Sequence, residues 1–241
     1  MKISLLHPSR GRPLQALNTY SHWIMQSSKD NVIEHILSLD SDDISLNEYH
    51  SFFHSSKFII APNKNLVEAA NIGAKETTGD IIVLLSDDFE CYKNWDVDIV
   101  NVFLGMQKLY SSMAYVLKTN DGCEDWIVTL PIMGREYYLM QGYIYHPDTK
   151  HLFCDTIQTH KAELEGRLIV RKDFVFNHRH PMYDKSIPMD DVYKRSNASW
   201  EQGKAIYLRE VRNSFGLKDV DVFNLSLSAQ NHIQWLKKEL K

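Results

Sequence analysis

The chain has 241 residues, of which 44% are hydrophobic and 24% are charged, the composition of an ordinary globular protein with enough length to bury a core. Its formal net charge of -4 argues against a basic, nucleic-acid-binding surface over much of the molecule. No stretch approaches the run of about 18 apolar residues that a membrane-spanning helix needs. The three cysteines form no Cys-x-x-Cys pair, which argues against the common structural zinc sites.

The beginning of the chain carries no pattern of a secretory signal, because the apolar segment of residues 3–6 is too short. Three widely spaced cysteines also suit a reducing compartment. These features predict a cytoplasmic protein, in the cell that makes it or, if the protein is viral, in its host. Neither internal repeats nor a Pro-, Gly- or Ser-rich linker divides the sequence, so we expect a single domain over residues 1–241.

Two short apolar strands are predicted first, at residues 3–7 and 36–39, and each ends in polar residues. The first runs into the loop Pro8-Ser9-Arg10-Gly11-Arg12-Pro13, and the second ends at Asp40. Small and apolar residues at helical spacing then predict a helix over residues 65–73 that can lie flat on a sheet.

Residues 81–85 predict a buried strand of an α/β sheet, because all five are apolar and do not alternate with polar residues. Asp87 and Asp88 follow almost directly. Open α/β sheets bind ligands at the carboxyl ends of their strands, and paired carboxylates there suit Mg²⁺ or Mn²⁺. Taken alone, such a pair is more often a helix cap or a solvated turn.

The order of these segments resembles the family 2 glycosyltransferases with the GT-A fold. These nucleotide-sugar enzymes have a strand followed by a Pro-Thr-x-Asn-Arg-like loop, a strand ending in Asp, and a DXD-type metal motif. The small size and the short first loop resemble compact phage-type members. The resemblance implies one α/β domain with a Rossmann-like, mixed central sheet flanked by helices, comprising a nucleotide-sugar-binding half (1–100), an acceptor half (101–215) and a C-terminal helical tail (216–241).

The resemblance also implies which side chains bind the donor. Asp40 would meet the nucleobase, and Lys64, seven positions before Asn71, would replace the family's usual Arg near the pyrophosphate. Asp88 would bind the metal ion, although Ser86 stands where many relatives carry a first Asp. The donor-binding residues implied in this way are Pro8, Ser9, Arg12, Asp40, Lys64, Asn71 and Asp87.

In the second half, residues 165–174 resemble the family's strand with an Arg-Arg/Lys-x-x-Phe pattern. Asp190 and Asp191 follow where a Glu-Asp pair is expected. The resemblance implies that Asp191 is the base that deprotonates the acceptor hydroxyl, with Asp190 beside it. Pro188 followed by two Asp residues is equally a good helix start, so a capping role stays open, and both roles are compatible.

His178 and His180 stand two residues apart and share a face if the segment is extended. GT-A enzymes often add a late histidine to the metal site, usually after a strand such as the one expected at residues 205–208, where this chain has none. Either His178 or His180 is a candidate to replace it. The alternative is that both are loop histidines packing near Tyr183.

Between these regions we predict a helix at residues 96–110, followed by short strands at 114–158 to which no role is assigned. The aromatic residues of that stretch are candidates for an acceptor groove, although packing is their more usual function; they are Trp126, Tyr137, Tyr138, Tyr143 and Tyr145. Residues 225–241 predict an amphipathic helix that docks on the core or on a homodimer partner. Its apolar residues are Leu225, Leu227, Ile233, Leu236 and Leu240.

The sequence therefore predicts a metal-dependent, inverting glycosyltransferase that uses Mn²⁺ or Mg²⁺ and transfers a hexose or pentose. The donor would be a nucleotide diphosphate sugar, with a UDP-sugar as the most common type. The acceptor hydroxyl would belong to a glycan or a modified nucleic-acid base. One alternative is a nucleotidyltransferase acting on a sugar phosphate, although Gly11 alone is not the Gly-rich loop of those enzymes. The other is a non-catalytic module that binds nucleotide sugars or glycans.

Overall fold

The computed structural model describes residues 1–124 and 126–238. The elements of the first half are β1 (Lys2–Ser9), α1 (Pro13–Gln26), β2 (Val32–Asp40), α2 (Leu46–Phe52), β3 (Lys57–Ala61), α3 (Leu66–Ala74), β4 (Ile81–Leu84), β5 (Phe89–Glu90) and α4 (Trp95–Tyr110). Those of the second half are β6 (Val116–Asn120), β7 (Ile132–Gly134), α5 (Arg135–Gln141), α6 (Cys154–Leu164), β8 (Leu168–Val175), β9 (Asn177–His178), α7 (Asp191–Asn197), α8 (Trp200–Arg212) and α9 (Leu227–Lys238).

A seven-stranded sheet forms the centre of the described chain, in the order β3-β2-β1-β4-β7-β6-β8. The pairs among β3, β2, β1 and β4 are parallel, whereas β7 runs antiparallel to both β4 and β6. The predicted mixed α/β sheet with flanking helices is therefore confirmed.

Strand β4 is buried on both faces, which explains why its residues do not alternate. Ile81 and Val83 face one core that contains Trp95 of α4. Ile82 faces the opposite core, together with Val67 of α3. Each fully buried aliphatic side chain of this kind contributes about 1.5–3 kcal/mol to stability. Packing on both faces of β4 therefore specifies its register in the sheet.

The carboxyl ends of β1, β2 and β4 meet at one edge of the sheet. Leu6 is paired with Leu84 and Ser9 with Leu39, so the loops that follow these strands lie side by side. This register brings the first loop, Asp40 and the Asp87-Asp88 pair to the same edge, as the strand pattern predicts.

A second, two-stranded sheet pairs β5 with β9 in antiparallel fashion, with Phe89 opposite His178. It connects the segment that directly follows Asp88 to the histidines of the second half. This pairing joins residues 89 positions apart in the sequence. A side-chain hydrogen bond from Arg179 to Glu90 at 3.0 Å connects the same two segments.

Helices α8 and α9 form a further layer against α6. Tyr207 of α8 and Ile233 and Leu236 of α9 are buried in one cluster with Ile157 of α6. The apolar face of α9 that we considered for a homodimer thus docks on its own chain, which was the other alternative. Leu240 lies outside the described residues.

The strand expected at residues 205–208 is wrong, because these residues lie within α8. The buried positions Lys204, Tyr207, Leu208 and Val211 follow the helical period of three to four residues rather than the strand period of two. By contrast, the helix start at Asp190 is confirmed: its carboxylate accepts hydrogen bonds from the Val192 and Tyr193 N–H groups. Within residues 1–124 and 126–238 no helix combines the length and apolarity needed to cross a membrane.

At Gly134, strand β7 lies close to the backbone of the segment before β6. A Cβ atom at this position would lie 1.8 Å from the Met113 carbonyl oxygen. We expect Gly134→Ala to lower the free energy of unfolding by about 1–3 kcal/mol, because backbone must shift to relieve the clash. Urea unfolding followed by circular dichroism measures it. Gly105→Ala is the matched control, since a Cβ in that helical position meets nothing within 4 Å and should stabilise by about 0.5–1 kcal/mol. Equal stability of wild type and Gly134→Ala would contradict the packing.

Candidate active site

A cavity of about 860 Å³ opens at the carboxyl edge of β1, β2 and β4. Its other walls come from the loops around residues 124–131 and 145–156, from the His178 segment, and from α7 to α9. The predicted site residues that line it are Pro8, Ser9, Arg12, Asp40, Lys64, Asp87, Asp88, His178 and His180.

Asp87 ends a chain of hydrogen bonds that runs into the core. His7 Nε2 lies 2.8 Å from Asp87 Oδ1, His7 Nδ1 lies 3.1 Å from His35 Nε2, and His35 Nδ1 lies 2.6 Å from Ser56 Oγ. His7 Nε2 donates to the Asp87 carboxylate, and the tautomers of His7 and His35 set the direction of the other two hydrogen bonds. Ser9 donates to the other oxygen of Asp87 at 2.9 Å. The carboxylate is therefore held in one orientation at the cavity wall.

Asp88 lies beside Asp87 and is almost buried. Its Oδ1 accepts from Ser86 Oγ at 2.6 Å, and its Oδ2 accepts from the Tyr193 hydroxyl at 2.9 Å. Burial alone would raise the pKa of this carboxyl, but the neighbouring His178 and the hydroxyls of Ser86 and Tyr193 hold the pKa well below its usual range. Asp88 is consequently a carboxylate at any physiological pH.

His178 faces Asp88 across the edge of the cavity, with Nε2 3.4 Å from Oδ2. Its ring stacks on Phe89 at 4.3 Å, and its Nδ1 lies 3.9 Å from Asp121 Oδ2. The pairing of β5 with β9 sets this position. His180 lies nearby, edge-on to the Tyr193 ring at 4.7 Å. Of the two candidate histidines, His178 is the one that lies against the carboxylate.

Arg12 and Asp190 connect the first loop to α7. The guanidinium Nε donates to Asp190 Oδ2 at 2.7 Å, and the group lies 4.4 Å from the centre of the Tyr193 ring. Asp190 also caps α7, so its carboxylate has two structural functions. Asp191 points away: its side chain is 88% exposed, does not line the cavity, and pairs with Lys194 at 3.0 Å.

Asp40 and Lys64 line the side of the cavity formed by the end of β2 and the start of α3. Asp40 lies at the end of β2, and its Oδ2 accepts from Arg10 at 2.6 Å. Lys64 precedes α3 and lines the cavity together with Lys150. Asn71 does not line it, because its side-chain oxygen accepts from the Ile144 N–H at 2.8 Å and its amide donates to the Tyr145 carbonyl at 2.8 Å. Asn71 therefore secures the loop before α6.

No protein-family model matches the sequence, and no curated protein matches it significantly. Solved structures do match. The mannosyltransferase PcManGT from Pyrobaculum calidifontis, solved with GDP-Man and Mn²⁺, is 12% identical with a TM-score of 0.63 over 96% of this chain and 69% of its own. TarS from S. aureus is 12% identical, with a TM-score of 0.57 over 88% of this chain and 66% of its own. This chain thus spans about two thirds of the PcManGT chain and of TarS 1–349, and 40% of the longer TarS chain.

A third match is glucosyl-3-phosphoglycerate synthase from Mycobacterium tuberculosis, solved with Mn²⁺, UDP and glucosyl-3-phosphoglycerate. It is 12% identical, with a TM-score of 0.54 over 84% of this chain and 79% of its own. The chain has the GT-A fold. This confirms the fold predicted from the order of the sequence motifs.

A further cavity residue within this GT-A fold is Asp155, which the sequence offers only as an alternative base, beside Asp173, in case Asp190 and Asp191 are both structural. It lies at the start of α6, where the Thr156 N–H donates to its Oδ1 at 2.7 Å. Burial raises the pKa of Asp155 to about 6. His151 lines the same cavity, and burial lowers its pKa to about 4. The local signal for Asp155 is the Asp155-Thr156 pair opening a helix, in a stretch where α6 is too polar to show a clear apolar face.

The donor set at the edge of the cavity is small. In the part of the chain that the structure describes, no group of three or more His, Cys, Asp or Glu side chains is placed to hold a metal ion. Asp88 and His178 nevertheless bring one carboxylate oxygen and one imidazole nitrogen within 3.4 Å of each other. This arrangement suits a metal ion whose other ligands come from substrate phosphates and water.

Proposed function

We propose that this protein is a divalent-metal-dependent glycosyltransferase that moves a sugar from a nucleotide diphosphate sugar to an acceptor hydroxyl. One observation carries the proposal: a single cavity contains the Asp88–His178 pair on one wall and a carboxyl group with a pKa of about 6, Asp155, on another. A cation site for a diphosphate and a base near neutrality are the two groups that this reaction requires.

Asp88 and His178 are the proposed ligands of Mn²⁺ or Mg²⁺, completed by diphosphate oxygens and water. The three related structures were solved with Mn²⁺ or with nucleotide sugars, which supports the same chemistry here. When bound, the metal ion would neutralise negative charge on the departing diphosphate. Tyr193 and Ser86 hold the Asp88 carboxylate in place for this purpose.

The donor is proposed to lie across the edge of the sheet. Lys64 is the proposed cation for the diphosphate. Asp87, fixed by Ser9 and the His7–His35 chain, is proposed to accept from ribose hydroxyls. Asp40 remains the proposed nucleobase contact, where it would accept from a ring N–H. Arg10 pairs with that carboxylate at 2.6 Å.

For the base, we propose Asp155 in place of Asp191. Asp155 lines the cavity, whereas Asp191 is exposed and paired with Lys194 outside it. The acceptor oxygen forms a bond to C1 of the sugar while the bond from C1 to the diphosphate oxygen breaks, and the acceptor proton passes to Asp155. A single displacement of this kind inverts the configuration at C1.

A ligand screen tests the proposed donor class. We expect UDP or GDP with Mn²⁺ to raise the melting temperature, because ligand binding to the folded state stabilises by RT ln(1 + [L]/Kd). UDP should exceed CDP, since uracil has a ring N–H for Asp40 and cytosine lacks one. The measurement is a thermal-shift assay of nucleoside diphosphates with Mn²⁺ or with chelator. Equal effects of all bases would remove Asp40 from the site.

The products distinguish the alternatives. A glycosyltransferase releases a nucleoside diphosphate from a nucleotide sugar, also during slow hydrolysis by water. Release of pyrophosphate from a nucleoside triphosphate and a sugar phosphate would instead indicate nucleotidyl transfer. Binding of the nucleotide without turnover of any donor would indicate a binding module.

A further inference from the structure

The part of the cavity that α8 and α9 line is built from aromatic side chains. Trp200 begins α8 and Trp235 lies on α9, with ring centroids 6.4 Å apart at an angle of 72°. Trp126 and His232 lie alongside, with centroids 4.6 Å apart. All four line the same cavity as Asp88 and Asp155.

Neighbouring side chains hold these rings in place, but Trp200 and Trp235 are not buried in the core. Trp200 is 37% exposed and Trp235 is 46% exposed, and Trp235 also stacks on the His232 ring at 6.0 Å. Phe153 packs against Trp200 at 5.0 Å, and Glu124 accepts from the Trp126 indole N–H at 2.9 Å. Two rigid indole rings that meet at a corner and remain open to a cavity form a preorganised surface for a flat ligand.

The charge at this end selects among flat ligands. The cavity-lining residues between positions 196 and 235 are neutral amides, hydroxyls, alanine and aromatics, including Asn197, Ser199 and Gln202. Burial lowers the pKa of His232, so this side chain is also neutral at pH 7. A nucleic acid would need Lys or Arg for its phosphates. Among the described lining residues, the cations lie instead on the first loop, before α3, before α6 and on α7, at Arg10, Arg12, Lys64, Lys150 and Arg195.

We infer that the Trp200–Trp235 corner is an acceptor subsite that stacks a neutral sugar ring, with nearby amides and hydroxyls available to its hydroxyl groups. This rests on the proposed function and specifies its acceptor as a neutral glycan rather than a nucleic-acid base. It also gives the C-terminal helix a direct part in binding, since α9 contributes Trp235 and His232 to the cavity.

Binding of defined probes tests this subsite without knowledge of the donor. The probes are short neutral oligosaccharides of glucose, mannose and N-acetylglucosamine, and a single-stranded oligothymidylate. Binding of each probe is measured by calorimetry and by the indole N–H signals in NMR. We expect at least one neutral oligosaccharide to bind and to shift the indole signals of Trp200 and Trp235. Trp235→Ala should weaken it at least about tenfold, because one stacking face is lost. Trp200→Phe should retain most of the affinity.

The matched control is Phe223→Ala, which removes an aromatic ring of the same layer that is 76% exposed and lies outside the cavity. It should bind the oligosaccharide like wild type. The inference is overturned if no neutral oligosaccharide binds, if the oligothymidylate binds in its place, or if Trp235→Ala retains full affinity in a folded protein. Mn²⁺-dependent nucleoside diphosphate binding, measured in parallel, reports separately on the proposed function. Sugar binding with no nucleotide binding would indicate a glycan-binding module and leave the subsite intact.

Discussion

Asp155→Asn is expected to lower kcat for sugar transfer by about 10²- to 10⁴-fold while leaving nucleoside diphosphate affinity near that of wild type. In the proposed reaction the carboxylate acts on the acceptor proton in the transition state, whereas the proposed diphosphate site is at Asp88, His178 and Lys64. Hydrolysis of the donor by water provides an assay before the acceptor is identified. Calorimetry with UDP or GDP and Mn²⁺ provides the binding measurement.

Asp191→Asn is the matched control, because it makes the same chemical change at a carboxylate that is 88% exposed and outside the cavity. It should keep nearly wild-type kcat. If Asp191→Asn loses activity and Asp155→Asn keeps it, the base is Asp191, as the sequence resemblance implied. If neither variant loses activity, no carboxylate of these two acts as base.

The pH dependence gives an independent readout of the same group. Burial raises the pKa of Asp155 to about 6, so the base becomes protonated and the rate of transfer should fall as the pH drops through about 6. The raised pKa also means that the folded state binds this proton more tightly than the unfolded state. Ionised Asp155 therefore costs stability above pH 6, and Asp155→Asn should not lower the melting temperature at pH 7.

The second large effect concerns the metal site. Asp88→Asn should weaken Mn²⁺-dependent nucleoside diphosphate binding by at least about 100-fold. Loss of a group that only hydrogen-bonds to a metal-ligating side chain already lowers metal affinity about 10- to 100-fold, and Asp88 is the proposed ligand itself. The amide keeps the shape of the side chain but removes the charge that attracts the cation. Calorimetric titration with UDP or GDP, with Mn²⁺ and with chelator, measures the change.

Ser86→Ala is the matched control for Asp88→Asn. It removes a hydroxyl that donates to Asp88 at 2.6 Å but leaves the carboxylate, so a loss of about tenfold is expected. Nucleotide affinity of the wild-type protein that is unchanged by chelator would contradict the metal site. So would an Asp88→Asn variant whose binding keeps its full response to Mn²⁺.

Local patterns were enough to predict three strands and one helix within residues 1–88, and their order implied the fold through a family resemblance. The strands at residues 3–7 and 81–85 were recognisable because burial on both faces requires continuous apolar residues, and the structure buries both faces of β4. Asp87 and Asp88 were found because polar residues at strand ends lie at the ligand-binding edge of such sheets. The start of α7 was likewise predictable, since an N-cap depends on residues within one turn.

The positions of the proposed metal-binding histidine and the proposed base depend on tertiary structure. His178 could not be chosen over His180 from the sequence, because only the pairing of Phe89 with His178 sets its distance to Asp88. Asp191 and Asp155 both begin helices, and only packing turns one toward solvent and the other into the cavity. The apolar strands, the polar residues at their ends and the Asp87-Asp88 pair could be predicted from the sequence, because they depend on residues close together in the chain. The GT-A fold was implied by the resemblance of their order to a known family. The histidine, the base and the tryptophan corner depend on contacts between segments far apart in the chain, which the seven-stranded sheet and the C-terminal layer bring to one cavity.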